Sequence, residues 1–528
     1  MNGTSAIKVI KWNFISVLFL LAFGSGVCAQ NDTISSAVQS ITRDELFKHI
    51  NYLADDDLKG RDTGERGQRV AALYIAGEFR KSNLERAFGD KEVEGYFQRF
   101  TMVNRDFGFF YAMSRKKYRT NYSGIIYKGA SGTSTKQWVE TNPVFIGSTG
   151  NPDYSKCNKE AALLVTEGNR SLNAMIDSLG ELTKVRLLFI AVNDKKLFTE
   201  LEANYWSLER FQLESDYKKL LDHNVLLRDY FSFRNDSISL VLLSQKVTKD
   251  LIGFKTKDLL KKAKKSENLG EQIAEDSIWS YYKGMDTLKV KLTENVGTIV
   301  KGTEFPDELV VITAHYDHIG WRDTSNYNDS VVIYNGADDN ASGTSALIEI
   351  AKAFQYLADQ GIRPKRSVLF LPVTAEETGL NGSRYYVQNP LYPMDSTAMV
   401  INMDMIGRRG YLMRKGKKKV YAAAFQSLEK KSKDLNKKYD KKNKDIIVDY
   451  RPGLIRKLLW KKGSDQYSFT KKCVPAIAYF TGLHKDYHKS TDTAEKIDYD
   501  KLLDITRHVF LVAWEVANNT EDFPINRE

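Results

Sequence analysis

Apolar and polar positions alternate along this chain with two different periods. Between residues 42 and 86, Leu46, Ile50 and Leu53, then Val70, Ala71, Tyr74, Ile75 and Phe79, recur at helical spacing. That spacing predicts two amphipathic helices. Between them the glycines of Leu58-Lys59-Gly60-Arg61-Asp62-Thr63-Gly64 argue against one continuous helix. From 120 to 275 the apolar runs shorten to residues 144–146, 162–165, 185–192 and 238–243, separated by polar turns. Such runs predict a separate, mostly β insertion, with the charged, helix-patterned stretch 256–275 as a connector.

Strand and helix then alternate. Residues 288–292 and 297–300 predict a hairpin, and 309–314, 367–373, 399–403 and 477–480 predict buried strands. Leu347, Ile350, Phe354 and Leu357 mark one face of a helix over 346–357. This alternation predicts an α/β fold, a three-layer α/β/α domain with a mixed central sheet. The expected division is 1–29 as a leader, 30–119 and 276–528 as the two parts of the main domain, and 120–275 inserted between them.

Composition changes the picture at two places. The chain has 528 residues, 42% hydrophobic and 27% charged, which are globular values. Lys8 and Lys11 precede the apolar run 14–23, and small residues lead to Val27-Cys28-Ala29-Gln30. That order predicts a signal peptide cut after Ala29, and hence a periplasmic or secreted protein; a lipid anchor on Cys28 ranks second because Val27 is bulky. No later apolar stretch reaches the ~20 residues of a membrane span. The net charge of +11 is local: residues 408–472 hold 22 Lys and Arg against 6 Asp and Glu, leaving the rest near −5. The basic insert, 408–462, lacks interleaved aromatics, so a solvated face is expected rather than a nucleic-acid surface. Cys157 and Cys473 are too few for a disulfide framework, and Cys473, beside an apolar run, reads as a buried thiol.

The chemistry gathers around the predicted strand ends. Val310-Val311-Ile312-Thr313-Ala314 leads into His315-Tyr316-Asp317-His318, and the next block is Gly336-Ala337-Asp338-Asp339-Asn340-Ala341-Ser342-Gly343. Glu376-Glu377 follow a third apolar run, Asn402-Met403-Asp404 a fourth, and Tyr487-His488 with Asp492-Thr493 close the series. Two imidazoles and three carboxylates, His315, His488, Asp338, Glu377 and Asp404, exceed what one catalytic zinc takes. They suit two ions if one carboxylate bridges, and Asp338, from a tight turn in the middle of the set, is the natural bridge. Glu376 and Glu377 are adjacent, so one serves as ligand and the other as general base. Asp317 is placed to accept the second N–H of His315. Asp339 reads as a turn-stabilising carboxylate, His484 as a loop residue, and His49, His223 and His508 as structural.

In this order the five blocks, with the early Leu-x-Gly-Arg-x-Thr-Gly turn, resemble the M28 family of zinc peptidases. The resemblance covers roughly 40–110 and 285–520. It implies two Zn²⁺ ions, replaceable by Co²⁺ or Mn²⁺, one held by His315, Asp338 and Asp404 and the other by Asp338, Glu377 and His488. It also implies Glu376 as base, Asp317 as the residue that orients the His315 ring, and a protease-associated type of insertion at 120–275. The expected activity is that of an aminopeptidase acting on peptides through a zinc-activated hydroxide. A glutamate-carboxypeptidase-like enzyme and a single-zinc glutaminyl cyclase are the alternatives. Where many members have Ser-Asp-His, this chain has Ser464-Asp465-Gln466.

Overall fold

A computed structural model describes residues 32–90, 93–114, 117–120, 124–130, 138–157, 159–167, 184–222, 237–283, 287–323, 331–411, 419–423, 447–449 and 463–519. The expected leader with Cys28 and Ala29, His223, and most of the basic insert lie outside them. The chain forms two compact units, residues 1–100 with 292–528, and residues 101–291.

In the first unit the predicted helices are α1 (Arg43–Leu53) and α2 (Arg66–Lys81). Thr42 caps α1, its hydroxyl accepting the Glu45 N–H. Eight strands follow: β1 (Glu85–Arg86), β2 (Thr298–Val300), β3 (Phe305–His315), β4 (Arg366–Val373), β5 (Thr397–Met403), β6 (Lys419–Ala423), β7 (Ile447–Asp449) and β8 (Ala476–Phe480). They form one sheet in the order β1-β2-β4-β3-β5-β8-β6-β7. The centre is parallel, β4 and β5 on either side of β3 and β8 beyond β5, while β2 on β4 and β6 on β8 are antiparallel. The expected mixed sheet is present. Further helices are α3 (Gly343–Asp359), α4 (Asn381–Gln388), α5 (Gln466–Thr470) and α6 (Tyr499–Asn518).

The period of two along the strands sorts the layers. Val310, Ile312, Ala314, Val368, Phe370, Ile401 and Ile477 pack with α1, α2, α3 and α6. Leu309, Val311, Leu369, Leu371, Val400 and Ala476 face the other way, toward Tyr386 and Val387 of α4 and Phe469 of α5. Three layers result, helices on both faces of the sheet. The predicted hairpin of 288–292 with 297–300 does not form. Thr287–Val296 lies beside Phe97–Asp106 in a separate three-stranded sheet, whereas β2 pairs with β1 and β4.

The second unit differs from the sequence expectation in class and in limits. Its central strands Val144–Ser148, Ala161–Val165, Leu187–Ala191 and Ser239–Leu243 run parallel. Helix Lys195–Glu209 packs on one face through Leu197, Leu201 and Tyr205, and helices Gln245–Ile252 and Thr256–Lys264 on the other through Val247, Leu251 and Leu259. It is therefore α/β rather than mostly β. The unbroken apolar runs carry the reason: strands covered on both faces lose the alternation of a half-exposed strand. The expected connector at 256–275 belongs to this core through Leu259. Strands Phe109–Ser114 and Ile278–Lys283 pair antiparallel, which draws both into this unit and moves its limits outward from 120 and 275. Cys157 and Cys473 are both free, and Cys473 is exposed, not buried: with Lys471 and Lys472 it follows α5 in a turn before β8 begins. Among the described residues no helix is long and apolar enough to cross a membrane.

Candidate metal centre

β3 lies between β4 and β5, so chain order reverses there, the position at which open α/β sheets leave a crevice beyond their strand ends. His315 ends β3, Glu376 and Glu377 lie just past β4, and Asp404 directly follows β5. His488 comes from the loop after β8, and Asp338 and Asp339 from the turn entering α3.

The turn decides which carboxylate faces the others. Asp492 accepts both backbone N–H groups, from Asp338 at 3.0 Å and Asp339 at 3.1 Å, through one oxygen. Its other oxygen faces Arg408 at 3.3 Å. With the backbone pinned, the two side chains part. Asp339 Oδ1 stands 3.3 Å from His315 Nε2, and its Oδ2 3.2 Å from His488 Nε2. Asp338 points away, accepting the Gly407 N–H at 2.6 Å and lying 3.1 Å from His484 Nε2. The expected bridging position of Asp338 is thus taken by Asp339, a correction that nothing in two adjacent aspartates could reveal, since it depends on how the turn is tied. His484 holds Asp338 and lies in a loop.

The other expected residues converge. Asp404 Oδ1 is 3.6 Å from His315 Nε2, and Glu377 Oε2 is 3.1 Å from His488 Nε2. His318, absent from the expected ligand set, puts Nδ1 2.8 Å from Glu377 Oε1. Two three-donor groups emerge, His315–Asp339–Asp404 and His318–Asp339–Glu377, sharing Asp339. Imidazole nitrogens and carboxylate oxygens are zinc-type donors, and an excess of carboxylates in a buried place suits a divalent cation. The residues present fit the metal that the resemblance implies.

Asp317 acts differently from the expectation. The hydrogen-bond partner of His315 Nδ1 is the Asp317 backbone carbonyl at 3.2 Å, and the carboxylate is at 3.7 Å. A carbonyl only accepts, so Nδ1 is the donor and Nε2 is aimed at Asp339 and Asp404. The Asp317 carboxylate instead accepts the Glu376 N–H at 3.2 Å and the Thr63 hydroxyl at 2.9 Å, placing Glu376. Thr63 belongs to the early turn, and so does Arg61. The fully buried Arg61 guanidinium donates to the carbonyls of Leu53, Tyr316, Asn335 and Gly336, joining the segments that carry His315 and Asp339. Burial pulls its pKa down to about 10, opposed by Asp317, Asp339, Asp492 and Glu377.

Electrostatics separate the carboxylates. Burial pushes Glu376 well above the usual carboxylate range; His315 opposes this, and Glu377, Asp465 and Asp404 add to it. Burial likewise lifts Asp465 to about 7, opposed by His315 and by Ser383. Burial also works against the charge on Asp339, but His315 and His488 hold it below the ordinary range. In the departing Ser464-Asp465-Gln466 triplet, Ser464 and Gln466 both accept from Asn402 of β5, so Gln466 braces the strand that carries Asp404.

A cleft of about 490 Å³ opens onto the centre, lined by His315, Asp339, Glu376, Asp404 and His488. Its further wall is Met405, Tyr411, Tyr421, Phe480, Leu483 and Tyr487.

Residues 295–513 match the profile of Peptidase family M28. The chain is similar to a probable zinc metalloprotease of Pyricularia oryzae, 27% identical over 263 residues, 43% of this chain and 50% of that one. It is 32% identical over 118 residues to a probable glutamate carboxypeptidase of Arabidopsis thaliana, 22% of this chain and 15% of that one. The chain thus spans half the length of the first relative and a smaller part of the second. Among solved structures it is similar to an aminopeptidase from Aneurinibacillus sp. strain AM-1, with a TM-score of 0.47 and 16% identity, covering 94% of this chain and 98% of that one. Through residues 295–513, which hold the carboxylates and imidazoles gathered past the sheet's strand ends, the chain is similar to peptidase family M28.

Proposed function

We propose that this protein is an exported two-zinc exopeptidase that removes apolar residues from the free amino terminus of peptides. The observation that carries the specificity is the cleft wall. Its described side chains beyond the metal centre are apolar or aromatic, and no Lys or Arg is among them. A substrate's apolar side chain gains by leaving water there. Among the described residues a carboxylate would meet no cationic partner there, which is costly in a buried place. The names of the Arabidopsis relative and others favour a glutamate carboxypeptidase as the second reading. The wall weighs against it. Export rests on the leader pattern before Gln30.

Asp339 would be shared between the ions, with His315 and Asp404 on one side and Glu377 and His488 on the other. Bound zinc supplies Lewis acidity toward a carbonyl and acidifies water. Glu376 then takes the proton of the attacking water and passes it to the leaving amine. A base held above the ordinary carboxylate range is better matched to that proton near neutral pH. Asp317 fixes the Glu376 backbone, so the base does not search for its place. His315 is held by the Asp317 carbonyl in the orientation that presents Nε2 to the centre.

The test compares zinc-replete protein on leucyl and phenylalanyl amides with amino-blocked peptides ending in glutamate. Release only from free amino termini, best with apolar residues, is expected. Cleavage of only the blocked peptides would establish the carboxypeptidase, and cyclisation of amino-terminal glutamine without hydrolysis would establish the cyclase.

A further inference from the structure

The two donor groups around Asp339 are chemically unequal. On one side stand His315, Asp339 and Asp404, three donors beside the base Glu376 and open to the cleft. On the other, Asp339 and Glu377 face two imidazoles. His488 Nε2 is 3.2 Å from Asp339 Oδ2 and 3.1 Å from Glu377 Oε2. His318 Nδ1 is 2.8 Å from Glu377 Oε1 and 3.8 Å from the same Asp339 oxygen. These four contacts close a ring of donors. A tetrahedral zinc with arms of ~2.0–2.1 Å needs donors spaced by about 3.3 Å, near the middle of that spread.

We propose that His318 is a fourth protein ligand, which turns the Asp339–Glu377–His488 position into a closed, tightly held ion site. The His315–Asp339–Asp404 position keeps a place for water and holds its ion more weakly. Four protein donors mark structural zinc, and three with an open place mark catalytic zinc. This rests on the two-ion reading above.

The placement of His318 supports a ligand. Its side chain is fully buried, whereas that of His488 is 36% exposed. Its backbone N–H donates to the Arg61 carbonyl at 3.3 Å, and it forms a bridge with Asp62, so the ring's base is anchored to the early turn. The ring stands nearly perpendicular to that of His488, centroids 5.7 Å apart, both offering a nitrogen to the same two carboxylates. Nε2 is buried with no hydrogen-bond partner among the described residues. The ring is therefore held in place by its Nδ1 side, which faces the two carboxylates.

A simpler role would be that of a positioning residue, donating Nδ1–H to Glu377. The experiment separates the two. Metal-free protein is titrated with Zn²⁺ against a chromophoric chelator, for wild type, His318→Ala, His318→Gln and His315→Ala. Two unequal steps are expected in wild type. His318→Ala should weaken the tighter step by more than the ~10–100-fold that loss of an outer-shell partner costs. The weaker step should stay, which also reports an intact fold, and His315→Ala should abolish only that weaker step. His318→Gln, whose amide can still donate to Glu377, should not restore the tight step. Full restoration by His318→Gln, or an unchanged tight step in His318→Ala, overturns the proposal. If wild type binds a single ion that depends on His318 and not on His315, the two-ion reading fails while His318 ligation stands. A single ion that depends on His315 alone overturns both.

Discussion

Replacing each of the two adjacent aspartates in turn tests the centre most directly. Asp339 is the one carboxylate common to both donor groups, so Asp339→Ala removes a donor from each. His315 and Asp404 are then left as a pair, one short of the three protein ligands of a catalytic zinc. Truncating one member of a buried charged pair costs ~3–5 kcal/mol, which at ~1.4 kcal/mol per decade is a fall of ~10²–10⁴ in affinity. Asp338→Ala should act elsewhere. It strands the buried Gly407 N–H and takes from His484 its partner at 3.1 Å. An unmet buried donor costs ~1–3 kcal/mol of folding stability. The turn itself stays tied by Asp492, so metal affinity should change by less than about tenfold. The assay is metal content per chain after dialysis against a weak chelator, paired with thermal unfolding of the metal-free proteins. Asp339→Ala should fall from about two ions to below one, while Asp338→Ala keeps its metal and melts a few degrees lower. The reverse pattern, Asp338→Ala emptied and Asp339→Ala replete, would refute the assignment of the shared carboxylate.

Three further outcomes are expected. Glu376→Gln keeps the shape but not the base, so kcat should drop by ~10²–10⁴ with metal content unchanged; a lost ion would instead make Glu376 a ligand. Phe480→Ala should lower kcat/KM for phenylalanyl and leucyl amides by ~10–200-fold, with little effect on alanyl amides, which would never have reached that wall. Equal losses for all three would remove Phe480 from the specificity pocket. The third concerns His508, buried on α6 and held down to about 4 by that burial alone. Between about 4 and the ordinary ~6.5 the unfolded chain binds the proton and the folded one does not, so stability rises with pH across that window. The full difference is about 3 kcal/mol. In His508→Gln this part of the pH dependence of unfolding should vanish, as read by circular dichroism at pH 4 to 7, and an unaltered slope would contradict it.

Much of the main unit was legible because burial and chemistry coincide along the chain. Strands β3, β4 and β5 are apolar runs covered on both faces, and His315, Glu376, Glu377 and Asp404 stand where those runs stop. A polar group at such an edge has to face water, a ligand or a metal, so its position alone marks it. Helices α1, α2 and α3 showed their period of 3.6 for the same reason: one face of each is in the core. The inserted unit was misread because apolar runs of five residues carry no record of their neighbours. Whether such a run lies parallel under helices or antiparallel in a meander depends on pairing partners far along the chain.

What the sequence determined by itself is therefore the inventory, which carboxylates and imidazoles stand at strand ends and in what order. What tertiary structure decided is the direction in which they face. Asp492, more than 150 positions beyond the Asp338–Asp339 turn, accepts both of its N–H groups and sends Asp339 inward. Thr63 and Glu376, from separate segments, meet on the two oxygens of Asp317. Arg61, donating to four carbonyls, joins the segments that carry His315 and Asp339. A side chain's direction follows from its backbone, and these backbones are set by hydrogen bonds between residues that local composition cannot pair.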